Sequence, residues 1–297
     1  MANSTELRSN WTLTVTLSLL PPAIICFGAF LYIMAIILKV YVTTPNIRDS
    51  ARYVLFAHML ISDTLYLVVG FSLLMTSLFA VTILIPICYI LVTLGSSSFR
   101  VTPYILAAMA LERYISVCFP LRHIELCTRP RSNAAVLGIW VVGLIPNAMD
   151  FISLMTLVQK DFFSQDKICS RHIFDVSQEQ NLVRKITLIL STVLVGLIIL
   201  YTYVSIMVVA WKIGSGKSSA SKAARTVIIH TFQLLLCLSS LYEPLVKKQE
   251  GKFMIFLQLF HFLVLTCLPR FLSPLIYGIR DEFLRKCILR NIGLRVF

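Results

Sequence analysis

Apolar residues in this chain gather into seven long runs separated by short polar loops. The runs cover Leu17–Val42, Ala51–Phe79, Pro86–Val117, Asn133–Val158, Ile186–Trp211, Ala223–Leu245 and Phe253–Ile279. Each reaches the roughly 20 residues that a helix needs to cross about 30 Å of hydrocarbon. Several runs hold a proline or a glycine (Pro21, Pro103, Gly196, Pro269), which a membrane helix tolerates when its neighbours satisfy the freed backbone groups. No repeat, linker or low-complexity stretch interrupts the alternation. The pattern therefore predicts an all-α fold: a seven-transmembrane helix bundle in one domain spanning residues 1–297. Residues 1–16 precede the bundle, 17–279 form it, and 280–297 form a short amphipathic eighth helix and tail.

Composition strengthens this reading. Hydrophobic residues make up 58% of the chain and charged ones 14%, and the mean hydropathy is +0.83. A soluble domain of this length needs far more charge to cover its surface, whereas a helix facing lipid does not. The net charge of +13 is unevenly placed, because 16 of the 27 Lys and Arg residues lie in the first, third and fifth loops with the adjoining ends of the runs, and in the tail. By the bias of basic residues to the cytoplasmic side, those segments face the cytoplasm and anionic lipid, and the N-terminus lies outside the cell. Two sequons ahead of the first span, at Asn3 and Asn10, agree as expected glycosylation sites. No basic segment precedes an early apolar core, so the first span is expected to act as the insertion signal. Nucleic acid is not an expected partner, since the basic residues are divided among short loops.

Ionisable residues inside spans are costly, and each is a candidate for function. Asp63 lies mid-span in the second run, Arg100 in the third, Asp150 near the outer end of the fourth, and Arg270 in the seventh. Glu112 and Arg113 close the third run within the string Met109-Ala110-Leu111-Glu112-Arg113-Tyr114-Ile115-Ser116-Val117-Cys118-Phe119-Pro120-Leu121-Arg122-His123. This string resembles the acid-Arg-Tyr signature of rhodopsin-like G-protein-coupled receptors, in the longer form of the odorant receptors. Other positions extend the resemblance over nearly the whole chain. They are Cys88, Trp140, Asp63, Tyr203, the segment Lys222–His230, and Leu272-Ser273-Pro274-Leu275-Ile276-Tyr277. The Leu-Glu-Arg-Tyr and Ser-Pro-Leu-Ile-Tyr strings have the flavour of fish odorant receptors. There are departures too. Met34 and Ser273 stand where the family carries asparagines, thinning the polar network around Asp63. The fifth run lacks its usual proline, and the sixth lacks the Cys-Trp-x-Pro string, as odorant receptors do.

The resemblance implies a plasma-membrane receptor that binds a small-molecule odorant from outside and activates a heterotrimeric G protein of the stimulatory, olfactory type, raising cyclic AMP. Coupling and activation are expected of Asp63, Glu112, Arg113, Tyr114, Tyr203, Pro274 and Tyr277. A guanidinium at the membrane edge is poised between the adjacent carboxylate and whatever docks from the cytoplasm, so Glu112–Arg113 reads as a two-state element that a distant ligand can bias. Of the eight cysteines, Cys88 and Cys169 alone are placed on the outer side, where the surroundings are oxidising. A disulfide between them is expected to tie the Gln159–Arg184 loop over the top of the third helix. Cys287, in the basic amphipathic segment, reads equally as a palmitoylation site or a plain buried thiol.

Thirteen residues before Arg113, Arg100 sits about 20 Å up the same helix at roughly 1.5 Å per residue. Gly95, Ser96, Phe99 and Arg100 share one helical face, which corresponds to the binding pocket of the odorant receptors. Thr187, Ser191, Tyr242 and Thr266 are added from neighbouring helices as ligand-binding candidates. Arg100 either captures an anionic ligand group with its planar fork or pairs with Asp150. Gly95 in place of an aspartate argues against a simple amine ligand, and no lysine lies mid-span in the last run to form a retinal Schiff base. No cofactor or metal is expected, because no Cys/His cluster has ligand spacing. An enzyme is not expected either, since the five histidines are scattered and form no HExxH. A transporter would show inverted repeats and broken helices. Within receptors, the alternative is a chemoreceptor for a metabolite or peptide outside the nose.

Overall fold

The computed structural model describes residues 2–212, 259–272, 274 and 282–291. Its helices are α1 (Ala2–Thr43), the single turn α2 (Pro45–Arg48), α3 (Ala51–Leu78), α4 (Ile85–Cys118), α5 (Pro120–Leu126), α6 (Arg129–Leu157) and α7 (Gln178–Lys212). They are followed by α8 (His261–Leu272) and α9 (Glu282–Asn291). Among the described residues, five helices are long and apolar enough to cross a membrane: Leu20–Thr43 within α1, α3, α4, α6 and Gln178–Val209 within α7. These are the first five predicted spans. The predicted sixth span, Ala223–Leu245, lies outside the described residues, and α8 is the described part of the seventh. The N-terminal segment with both sequons continues α1 as helix.

The helix ends show why the chain turns where it does. α3 stops at Phe79, after which Ala80 adopts a left-handed backbone (φ 51°). The Val81 N–H then reaches back to the Thr76 carbonyl at 2.9 Å, the bond that closes a Schellman C-cap. α7 begins eight residues before its apolar run, at Gln178. There Ser177 Oγ accepts the Gln180 N–H at 3.1 Å, and the Gln180 side chain accepts the Val176 N–H at 3.4 Å. Ser177-x-x-Gln180 thus works as a capping box, and it carries the polar residues Arg184 and Lys185 inside the helix.

A short ribbon stands apart from the all-helical expectation. β1 (Thr82–Leu84) pairs antiparallel with β2 (Asp166–Ile168), Ile83 opposite Lys167. Two strands alone are marginal in water, but this pair is pinned beside a disulfide between Cys88 and Cys169, with Cα atoms 5.4 Å apart. The expected bridge is present. It ties the loop to the top of α4, with Ile85, Leu154 and Phe174 buried around it.

α4 is the central helix, touching α3, α6 and α7. Its inner half packs Val101, Ile105, Leu106 and Met109 against Leu55, Met59, Leu60 and Leu67 of α3 and Phe30 and Met34 of α1. A second seam joins Ala107 and Ala110 to Val195 and Ile199 of α7. α4 and α6 meet closely at Gly143, where a Cβ would lie 2.9 Å from Val101. Only 22% of the apolar stretch in α6, and the same share in α7, is buried within the chain. Ile145, Ile189, Leu190 and Leu194 point outward, as lipid-facing positions do. α9 lays Leu284 into the core beside α1 and keeps Arg285, Lys286 and Arg290 exposed, the arrangement of a helix lying on a membrane surface.

Candidate functional site

At one end of the bundle, Arg184 gathers a network of charges, while Arg100 stands apart from it among the described residues. Arg184, from the first turns of α7, aims its Nε at Asp150 Oδ2 of α6 at 2.7 Å. Its Nη1 donates to Asp175 Oδ1 and its Nη2 to the Phe174 carbonyl at 3.2 Å. Gln180 adds a bond to Asp150 Oδ1 at 3.2 Å, and His172 meets Asp175 at 3.0 Å. Arg184 therefore clips the loop between α6 and α7 to both helices. The sequence left open whether Asp150 pairs with Arg100; the structure gives Asp150 to Arg184 instead. Arg100 is 7% exposed, and no hydrogen bond or ion pair reaches it among the described residues. The charges of Arg171, Asp150 and Arg184 act on it only across space.

The other pocket candidates divide. Phe99 lies beside Arg100 and packs on Tyr66 of α3, ring centroids 5.6 Å apart. Ser96 turns towards α6, where its Oγ donates to Asn147 Oδ1 at 2.7 Å. The Asn147 amide in turn donates to Ser97 at 2.7 Å. Thr187 and Ser191 return their hydroxyls to their own helix, to the carbonyls of Val183 and Leu188. Thr266 of α8 is buried, and Tyr242 lies outside the described residues. Phe99 and Tyr66 are thus brought together, whereas Ser96 is occupied in helix packing. Tyr66 and Asn147 escaped the sequence reading, although each is a polar group inside an apolar run.

Deeper in the bundle, Asp63 is fully buried and accepts a hydrogen bond from Thr102 Oγ1 at 2.9 Å. Ser62 donates to the Ser98 carbonyl at 2.9 Å and lies 3.4 Å from Thr102. Arg270 of α8, 1% exposed, places its Nε 3.7 Å from Asp63 Oδ1. Sequence reasoning marked both residues but did not join them.

At the cytoplasmic edge, Glu112 is 8% exposed and its carboxylate meets His123 Nε2 of α5 at 2.9 Å. His123, which closes the motif string, thus supplies the Glu112 carboxylate with a partner that the sequence reading did not name. Tyr114 packs edge-on against Phe119 and lies 6.0 Å from the ring of Tyr201 on α7. That contact falls to Tyr201; Tyr203, the sequence candidate, is half-buried two positions on. Pro274 is helical and buried, and Tyr277 lies outside the described residues. In the α5–α6 turn, burial first and the Glu112 carboxylate second push the Cys127 thiol above its ordinary range.

Residues 30–277 match the family described as 7 transmembrane receptor (rhodopsin family). The chain belongs to this family. Odorant receptor 131-2 of Danio rerio is 30% identical over 264 residues, covering 86% of this chain and 80% of that receptor, which places the chain among the odorant receptors. Olfactory receptor 51E1 of Homo sapiens is 25% identical over 63% of this chain and 60% of its own length. Olfactory receptor 51E2 of Mus musculus is 27% identical over 62% and 60%. The receptor is a multi-pass membrane protein and not an enzyme.

Proposed function

We propose that this receptor senses a small organic anion from outside the cell, with Arg100 as the ligand's counter-charge, and signals through a stimulatory, olfactory-type G protein to raise cyclic AMP. The observation that carries this reading is that no hydrogen bond or ion pair reaches the buried Arg100 among the described residues. A buried cation without a partner is expensive, and the acid best placed to neutralise it is held by Arg184 at 2.7 Å. A carboxylate entering from outside would supply two charge-assisted bonds to the planar fork. Phe99, packed at a tilt on Tyr66, offers an apolar wall for the rest of such a molecule. The disulfide and the Arg184 clip hold the loop over the end of α4 from which such a ligand would enter. Docking of the G protein falls to Arg113, with Glu112, Tyr114 and Pro274 as its supports, the N-terminus lying outside and the receptor residing in the plasma membrane.

The experiment is a cyclic AMP assay in cells co-expressing the receptor and the olfactory-type G protein. Matched panels of carboxylic acids, their amides and their amines are compared at equal surface level. Responses confined to acids and lost in Arg100→Gln support the reading, and equal responses to acids and amides refute the anion pocket. Arg113→Ala is expected to abolish signalling at normal surface level.

A further inference from the structure

We infer that Arg270 is a tethered cation that occupies an oxygen-lined site at Asp63, so that the resting receptor holds no diffusible monovalent cation there. Asp63 is completely buried between α3, α4 and α8. Thr102 Oγ1, Ser62 Oγ and the Ser98 carbonyl gather beside it, and Ser98 Oγ and Asp63 Oδ2 have no hydrogen-bond partner among the described residues. A carboxylate, hydroxyls and a carbonyl are the hard oxygen donors that small hydrated cations choose. A buried carboxylate also requires a positive charge close by. Here the chain provides it covalently.

Three contacts hold the guanidinium in that place. Its charge lies 3.7 Å from Asp63 Oδ1, its carbon stands 3.9 Å over the Tyr66 ring, and Nη1 donates to the Thr266 carbonyl at 3.1 Å. Thr266 belongs to the π-helical stretch His261–Cys267 of α8, and Pro269 just beyond it has no N–H for the backbone ladder. Arg270 thus neutralises Asp63 while a carbonyl of its own helix holds its Nη1. The fit is incomplete, since Nε and Nη2 have no hydrogen-bond partner among the described residues. The guanidinium is held by charge and by the Tyr66 ring, and not by a closed fork on the carboxylate. Removing the guanidinium therefore leaves a vacant anionic cage. Arg270 is a positioning residue, and cation selectivity is the property that a merely packed side chain would not alter.

The test is thermal unfolding of the full-length receptor in detergent, with choline chloride replaced stepwise by sodium or potassium chloride at constant ionic strength. The wild type is expected to melt at one temperature in all three salts. Arg270→Gln is expected to melt lower in choline and to gain a saturable rise in sodium, following the logarithmic dependence of ligand stabilisation. Asp63→Asn/Arg270→Gln is expected to lose that rise. A saturable sodium-specific rise in the wild type overturns the inference, as does a folded Arg270→Gln receptor indifferent to sodium. Should Arg270→Gln not be recovered folded, the double variant decides: recovery near the wild-type level supports mutual neutralisation, and equal failure overturns it.

Discussion

Replacing Arg184 by Gln removes the clip that holds the extracellular loop, and the structure sets how large the effect should be. The Arg184 side chain is 8% exposed, Asp150 13% and Asp175 19%, so two nearly buried carboxylates lose their cation at once. Removing one member of a buried pair costs about 3–5 kcal/mol. Asp150 keeps Gln180 and Asp175 keeps His172, which places this case near the lower end, at about 3 kcal/mol. If that loss falls on local opening of the loop, the open population rises about 150-fold, at 1.4 kcal/mol per decade. The Cys88–Cys169 bridge reports on this opening, because both residues are 2% exposed or less. A reductant followed by a thiol label in native detergent micelles then measures the rate at which the loop lifts. Arg184→Gln should accelerate reduction by one to two orders of magnitude. Asp150→Asn combined with Arg184→Gln should accelerate it less than the two single effects multiplied, since the partners share one interaction. A reduction rate within twofold of the wild type in Arg184→Gln refutes the clip.

Other consequences follow from local geometry. Gly143→Val should destabilise by about 1–3 kcal/mol through overpacking, because its Cβ meets Val101 at 2.9 Å, while Gly138→Ala, with nothing within 4 Å, should leave the melting temperature unchanged. Ala80→Gly should stabilise by about 1 kcal/mol, the approximate cost of a left-handed backbone at a residue with a Cβ, as read by a shifted melting curve. Cys127 should label with maleimide from the cytoplasmic side alone. Because its thiol is pushed above the ordinary range, labelling should stay slow near neutral pH and rise steeply only on the alkaline side. A rate at neutral pH matching a free thiol would contradict the burial beside Glu112.

The spans were legible because lipid asks a simple question of a sequence. Runs long enough to cross the bilayer appear in the structure at α3, α4 and α6 with ends shifted by a few residues. α7 was misjudged at its start because hydropathy begins at Ile186. The signal that sets Gln178 is a cap, Ser177-x-x-Gln180, which a hydropathy reading does not weigh. The ribbon of Thr82–Leu84 and Asp166–Ile168 carries too few residues for a periodic pattern to declare itself. The Cys88–Cys169 bridge was readable because so few cysteines face outward. At the site, sequence could find each costly charge but not its partner. Arg100 and Arg184 were both available to Asp150, and only helix rotation and the loop's path decide between them. The same holds for Asp63 and Arg270, separated by more than two hundred residues. Tyr201 rather than Tyr203 faces Tyr114 for a similar reason, since two positions on a helix turn a side chain to another face.

The most direct test of the anion pocket is radiolabelled-acid binding to purified receptor, comparing wild type, Arg100→Gln and Arg100→Lys with the most active carboxylic acid from the cellular panel. The proposed role predicts saturable wild-type binding, partial retention in Arg100→Lys and a loss of affinity of one to two decades in Arg100→Gln, consistent with the roughly 1.5–3 kcal/mol of a charged hydrogen bond. Unchanged affinity in a folded Arg100→Gln receptor would contradict it.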